Sequence, residues 1–293
     1  MKCDLCPRKC LVDRKKGEKG ICGQTENLKV ARAALHFWEE PCISGDAGSG
    51  AVFFSGCPLH CVFCQNENIA NGTVGKEISL ERLVDIFLEL QEKRANNINL
   101  VTPGHFVPQI VKALDQARKE GLTLPVVYNT SSYETVDTIK MLEGYVDIYL
   151  PDFKYMSPVL SKKYSHAPDY AEVAKAAIAE MVRQTGKAVF VNGDEDNLIL
   201  SGTIVRHLTL PGCMADSMQI LKYLHDTYGD MIYISIMNQF TPLSNLEKYP
   251  ELNRRITDEE YETLVDYAIE IGIENGFIQE GNTAEESFIP AFD

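Results

Sequence analysis

"AVFFSGCPLHCVFCQN", residues 51–66, joins a glycine-ended apolar run to three cysteines, Cys57, Cys61 and Cys64, with three and two residues between them. The run AVFFSG (51–56) reads as a buried strand, which puts the thiols in the loop that follows it. Outward from it the same kind of run recurs at NINLV (97–101), PVVYN (125–129), VDIYL (146–150), TIVRHLTL (203–210) and MIYISIM (231–237). Helical spacings lie between. Leu80, Leu83, Val84, Phe87 and Leu88 follow Ser79 as a cap, and Ile110, Val111, Leu114 and Ala117 run to a stop at Gly121. Val136, Ile139 and Met141 form a helix ending near Gly144, and Thr257 with Glu260 makes a capping box ahead of Tyr261, Leu264 and Val265. Such alternation predicts an α/β fold with a parallel sheet, a partial (β/α)6 TIM-type barrel in preference to an open doubly wound sheet. In a βα barrel the chemistry lies at the C-terminal strand ends, where the three cysteines fall.

Composition limits what such a fold can be for. The chain has 293 residues, 45% of them hydrophobic, enough for a full core. No apolar run reaches signal-peptide or membrane-spanning length, so a cytoplasmic protein with no membrane partner is expected. Net charge is −14, which argues against nucleic-acid binding. The charge is uneven: seven basic residues among the first twenty face three acids, whereas twelve acids lie from Glu251 onward. Two solvated surfaces account for this; a basic end that docks an acidic electron-transfer protein is the sharper reading. Nine clustered cysteines fit metal ligation in a reducing compartment better than disulfides, and predict oxygen sensitivity.

A [4Fe-4S] cube normally takes four thiolates. Three leave one iron open to an exogenous ligand, and S-adenosylmethionine (SAM) can fill that corner with its amino and carboxylate groups. Its sulfonium then lies beside a reducing cluster, and one electron cleaves a carbon–sulfur bond to give a 5′-deoxyadenosyl radical.

The C-x3-C-x2-C spacing, with aromatic Phe63 before the last cysteine, resembles the signature of the radical SAM superfamily. The likeness covers about residues 45–245 and is similar within that superfamily to the pyruvate formate-lyase activating enzyme-like branch, relatives of the glycyl-radical-enzyme activases. It rests on EEPCISG, CQN, NINLVTP, YNTS, LPDFKY and VRHLTLPG. The resemblance implies that Phe63, Asn129, Thr130, Asp152, Lys154 and Arg206 line the SAM site, the basic groups near its carboxylate and ribose. Activases carry Gly-Gly-Glu after the second strand, whose acid accepts from the SAM amino group; here LVTPGHF offers no acid, and Thr102 and His105 stand in that place. Asn238, after the last strand, is a further candidate for adenosine or substrate, with Gln239 beside it. An oxidoreductase that abstracts hydrogen from a protein or peptide is implied, with a flavodoxin- or ferredoxin-type electron donor and anaerobic handling. The alternatives are a radical SAM enzyme acting on a small metabolite, and a non-catalytic iron–sulfur or zinc protein that carries electrons or scaffolds a partner.

Cys3, Cys6, Cys10 and Cys22 form a second constellation, C-x2-C-x3-C-x11-C. Four thiolates close the coordination of zinc or of an auxiliary [4Fe-4S] cluster, and both remain open. Cys42 and Cys213 read as buried structural thiols. His36, Trp38, Glu39 and Glu40 read as the cavity mouth or as ordinary packing and surface charge, and His105 and His207 as structural or functional histidines in equal measure. The organisation expected is a Cys-rich metal-binding segment (1–27), a radical SAM partial barrel (28–276) and an acidic tail (277–293) folding back through Phe288, Ile289 and Phe292.

Overall fold

The computed structural model describes residues 2–194, 197–243 and 246–279. Ten strands form one sheet: β1 (Lys29–His36), β2 (Ser49–Phe54), β3 (Lys76–Glu77), β4 (Ile98–Val101), β5 (Val126–Thr130), β6 (Ile148–Pro151), β7 (Val189–Phe190), β8 (Ile199–Leu208), β9 (Tyr233–Met237) and β10 (Gly276–Ile278). Their order is β10-β9-β8-β6-β5-β4-β2-β1-β3, with β7 paired to β8. From β2 to β10 every neighbouring pair on that path is parallel. All six expected strands are present, in a mixed α/β fold whose largely parallel sheet does not close.

Four strands were not foreseen: the two-residue β3 and β7, and the longer β1 and β10. The run AVFFSG is not the first strand, because β1 precedes it and pairs with it antiparallel, Ala33 opposite Val52 and His36 opposite Ser49. Its residues are mostly half-buried and carry Lys29, Arg32 and His36, so it has neither the continuous apolar run nor the clean alternation that marks a strand. At the other edge β10 lies against β9, so Phe277 and Ile278 of the expected tail belong to the sheet. Phe288, Ile289 and Phe292 lie outside the described residues.

The helices form for the anticipated reasons. Ser79 Oγ accepts from the Arg82 amide to open Leu80–Glu92, which turns Leu83, Val84, Phe87 and Leu90 onto the sheet. Thr257 and Glu260 close a reciprocal capping box on Asp258–Glu270. Alternation along β5 then sorts the layers: Tyr128 joins the core under the outer helices, while Val127 faces inward. The inner core holds Val127, Ile148, Leu150, Ile204 and Tyr233 with Cys42 and Ile43, which the short helix Pro41–Ser44 inserts among them. That insertion carries Glu39 and Glu40 in with it, and both line the cleft above.

Candidate active site

The cleft encloses about 520 Å3. The loop after β2 supplies its cysteines. Gly56 turns the chain at φ 94°, where a Cβ would collide with the Cys22 carbonyl, so the turn needs glycine. Phe63 then anchors the loop, buried edge-on against Tyr155, Tyr164 and Phe240 with ring centroids 6.0–6.4 Å apart. The Val62 amide donates to the Tyr164 carbonyl at 2.9 Å, and Ser165 Oγ donates to Cys61 Sγ at 2.9 Å. Cys57, Cys61 and Cys64 all line the cleft. Burial and mutual repulsion push Cys57 up to about 11 and Cys64 up to about 12. Cys61 is raised by burial, against the pull of Lys154. Three thiols that destabilise one another's ionised forms in a buried loop suit a positively charged centre. Among the described residues no three His, Cys, Asp or Glu converge as they would on a single ion. A cube, whose corners hold thiolates farther apart than one ion does, is the group this donor set fits.

Opposite the thiols stands a charged lattice built from four strand ends and the β1–helix connection. Arg206 donates from Nε to Asp152 Oδ1 at 2.9 Å, from Nη1 to Glu39 Oε2 at 2.9 Å and from Nη2 to Asn129 Oδ1 at 2.7 Å. Lys154 Nζ donates to Asp152 Oδ2 at 2.7 Å. Glu39 Oε1 accepts from Asn99 Nδ2 and Asn129 Nδ2, both at 3.1 Å. Burial opposes the charge on Asp152, but Arg206 and Lys154 outweigh it and hold the carboxyl below its ordinary value. Burial likewise opposes the charge on Lys154, and Asp152 and Cys61 outweigh that, so its ammonium stays protonated.

Of the residues expected at the SAM site, Phe63, Thr102, Asn129, Thr130, Asp152, Lys154 and Arg206 line this cleft. His105 and Asn238 are not among its lining residues. His105 sits in the 3-10 turn Gly104–Phe106, which carries it beneath β2: its Nε2 meets the Ser55 carbonyl at 2.7 Å, and burial lowers it to about 3, a neutral structural ring. His207 is likewise structural, bridging the Phe153 carbonyl and Ser217 Oγ. Asn238 donates its amide N–H to Gln279 Oε1 at 3.0 Å, while its neighbours Met237 and Gln239 reach the cleft, as alternation along an extended chain requires. Glu134 went unnoticed. It lies under Gly104, accepts from Tyr128 and Thr130, and is raised by burial to about 7. A Cβ at Gly104 would run into its carboxylate, which accounts for that glycine.

The N-terminal segment packs on the cysteine loop. Arg8 donates to the carbonyls of Pro58 at 2.9 Å, His166 at 2.6 Å and Ser165 at 3.1 Å, and stacks over Tyr133. His60 Nε2 meets the Ile21 carbonyl at 2.7 Å, and buried Arg14 donates to the carbonyls of His105 and Thr25. Three of its four thiols receive backbone amides: Cys6 from Arg8, Cys22 from Gln24 and Cys10 from Ile21, the last at 3.3 Å.

Comparison with known proteins finds relatives of the chain and of its fold. An uncharacterized protein of Methanocaldococcus jannaschii is 27% identical over 91% of this chain and 74% of its own length. SuiB of Streptococcus suis, solved with S-adenosylmethionine, shares the fold with a TM-score of 0.52 at 13% identity, over 76% of this chain and 48% of that one. A second SuiB structure, bound to its precursor peptide SuiA, gives 0.51 at 12% over 76% and 46%. Methylornithine synthase (PylB) gives 0.52 at 15% over 76% and 60%. The chain thus spans about half the length of SuiB. Among the described residues no helix is long and apolar enough to cross a membrane. The profile of the Radical SAM superfamily matches residues 51–197, half of the chain, beginning on the strand that delivers the three cysteines. On that match the chain belongs to the Radical SAM superfamily, and membership implies a [4Fe-4S] cluster and SAM.

Proposed function

We propose that the protein binds a [4Fe-4S] cluster through Cys57, Cys61 and Cys64 and cleaves SAM reductively beside it. The observation that carries this is the placement of three thiols, and no fourth, across one cleft from a preorganised Arg206–Asp152–Lys154 lattice. The cofactors supply a 5′-deoxyadenosyl radical for hydrogen abstraction. The chain's own residues hold and orient. Lys154 gives one of its three donors to Asp152 and keeps its charge, so it receives the SAM carboxylate or ribose, with Arg206 behind it. Asn129, Thr130 and Thr102 offer polar contacts at the strand ends, and Phe63 an apolar wall.

The substrate is a protein or peptide, in keeping with the activase-like branch. The sheet stays open, and the cleft lies at the seam: His36 at the end of β1 and Trp38 just past it border one side, Phe277, Ile278 and Gln279 at β10 the other. A second hollow of about 780 Å3 continues outward past exposed Phe37 and Trp38 to Asn96 and Leu198. That is room for an extended chain, and the same fold holds a peptide in SuiB. A deuterated partner should pass label into 5′-deoxyadenosine; label passed only by a small metabolite would favour the small-molecule reading.

Cys3, Cys6, Cys10 and Cys22 form a second metal site, zinc or cluster, in which a single ion would have to draw the sulfurs closer than they stand; the amides directed at three of the sulfurs support the site. A flavodoxin- or ferredoxin-type donor docks on its basic surface, in a cytoplasmic setting. Residues 1–27 act as a separate metal-binding segment ahead of the barrel. Metal analysis after anaerobic reconstitution, about four irons against about eight or four plus one zinc, tests this part.

A further inference from the structure

The three thiols of the cleft are not bonded alike. Cys57 receives the backbone amides of Leu59 and His60, and Cys64 that of Asn66. Among the described residues only Cys61 of the three takes a side-chain hydroxyl, from Ser165 Oγ at 2.9 Å. Ser165 is fully buried at the last position of the helix Pro158–Ser165. On its other side its Oγ lies 2.8 Å from the hydroxyl of Tyr155, which is buried as well. Neighbouring contacts hold the pair in place. The Tyr164 carbonyl accepts from the Val62 amide of the cysteine loop at 2.9 Å, and Arg8 Nη2 donates to the Ser165 carbonyl at 3.1 Å. The Tyr155 ring packs edge-on against Phe63 and Tyr170, with centroids 6.4 and 5.4 Å away.

Counting protons gives this chain a direction. A ligating thiolate carries no hydrogen and can only accept. Ser165 has one hydroxyl hydrogen, which therefore goes to Cys61, and Tyr155 must donate to Ser165 Oγ. Each bond polarises the next. A hydrogen bond to a cluster sulfur stabilises the negative charge that an added electron brings, so the cluster becomes easier to reduce. We propose that Tyr155 and Ser165 are positioning residues that raise the reduction potential of the cluster held by Cys57, Cys61 and Cys64, through a hydrogen-bond relay that ends on Cys61 Sγ. The electron comes from the external donor, and both hydroxyls keep their protons. The inference rests on the cluster site proposed above and adds to it which of the three sulfurs is tuned, and by what. Arg8, which holds the Ser165 carbonyl, ties the N-terminal segment to the relay.

The test is an anaerobic redox titration of the full chain after iron–sulfur reconstitution, read by the electron paramagnetic resonance signal of the reduced cluster. The signal that changes when SAM is added belongs to the three-thiol site, which separates it from any cluster on Cys3, Cys6, Cys10 and Cys22. At equal iron content, Ser165→Ala should lower the reduced-to-oxidised ratio at a fixed potential about tenfold, which is a midpoint about 59 mV more negative for a one-electron couple. Ser165→Thr, which keeps the hydroxyl, should restore most of that shift. Tyr155→Phe, which removes only the far donor, should move the midpoint the same way by less. A merely structural role would cost stability or iron and leave the midpoint of the loaded protein where it was. Tyr155→Phe carries the test if Ser165→Ala does not load. An unmoved or raised midpoint in loaded Ser165→Ala, or in Tyr155→Phe where that variant stands in, overturns the relay. The absence of any SAM-responsive signal from iron-loaded wild type is a different result: it overturns the cluster assignment itself, and the relay with it.

Discussion

The two cysteine groups of this protein are built on opposite plans. Cys57, Cys61 and Cys64 occupy one loop at a strand end, face a cavity, and look across it at a lattice of buried charges. Cys3, Cys6, Cys10 and Cys22 lie on an irregular segment with a single 3-10 turn, Arg14–Lys16, among its described residues, and backbone amides point at three of their sulfurs. Rigid strands aim a reactive centre and leave one side of it to a ligand. A segment with no sheet of its own must be tied to the barrel, here by Arg8, Arg14 and His60. The contrast teaches that similar thiol spacing serves two ends, which the surroundings of the sulfurs tell apart.

The contrast breaks first at Arg206. Arg206→Ala strands Asp152 and Glu39 beside the thiol cleft and should cost about 3–5 kcal/mol of stability by denaturant titration, along with tight SAM binding. A loss confined to SAM binding would mean that the lattice is relaxed by water.

Glu134 lies between the two regions, under Gly104 and near enough to Cys6 to raise it. Burial lifts its carboxyl from 4.5 to about 7, so the folded state binds the proton more tightly than the unfolded one. Stability from this group is whole below about pH 4.5 and is lost as pH rises through about 7. Glu134→Gln, which keeps an acceptor for Tyr128 and Thr130, should therefore raise stability at pH 8 by at most about 3 kcal/mol and change little at pH 4. Equal effects at both pH values would contradict the assignment.

Arg8→Ala removes three donors from the Pro58, Ser165 and His166 carbonyls. It should cost about 1–3 kcal/mol and hasten iron loss on exposure to air, since the clamp covers the cysteine loop. Thr257→Ala, in a capping box remote from both thiol groups, should cost about 1 kcal/mol and leave metal content unchanged, which makes it the control.

What was legible in the sequence follows the same division. The parallel strands were readable because burial on both faces forces continuous Val, Ile and Tyr runs. The thiol loop was readable because coordination fixes spacing within one short segment. β1 was hidden because an antiparallel strand at the sheet margin buries little, and β10 because three residues carry no period. His105 misled because a one-turn 3-10 helix reverses the direction of a strand-end residue, and Asn238 because the choice between adjacent positions depends on register. Glu134 and the hydrogen-bonding role of Glu39 had no local signal: each depends on residues brought together only by the barrel, Gly104 for one and Asn99, Asn129 and Arg206 for the other.

The central claim is that the three-thiol loop, and not the four-thiol segment, is where SAM is cleaved. Anaerobically reconstituted wild type, Cys61→Ala and Cys10→Ala, each incubated with SAM and dithionite, should be compared by 5′-deoxyadenosine release. Wild type and Cys10→Ala should both release it, the latter with less bound metal, and Cys61→Ala should release none. Equal release from Cys61→Ala, or none from wild type carrying its full complement of iron, would contradict the account.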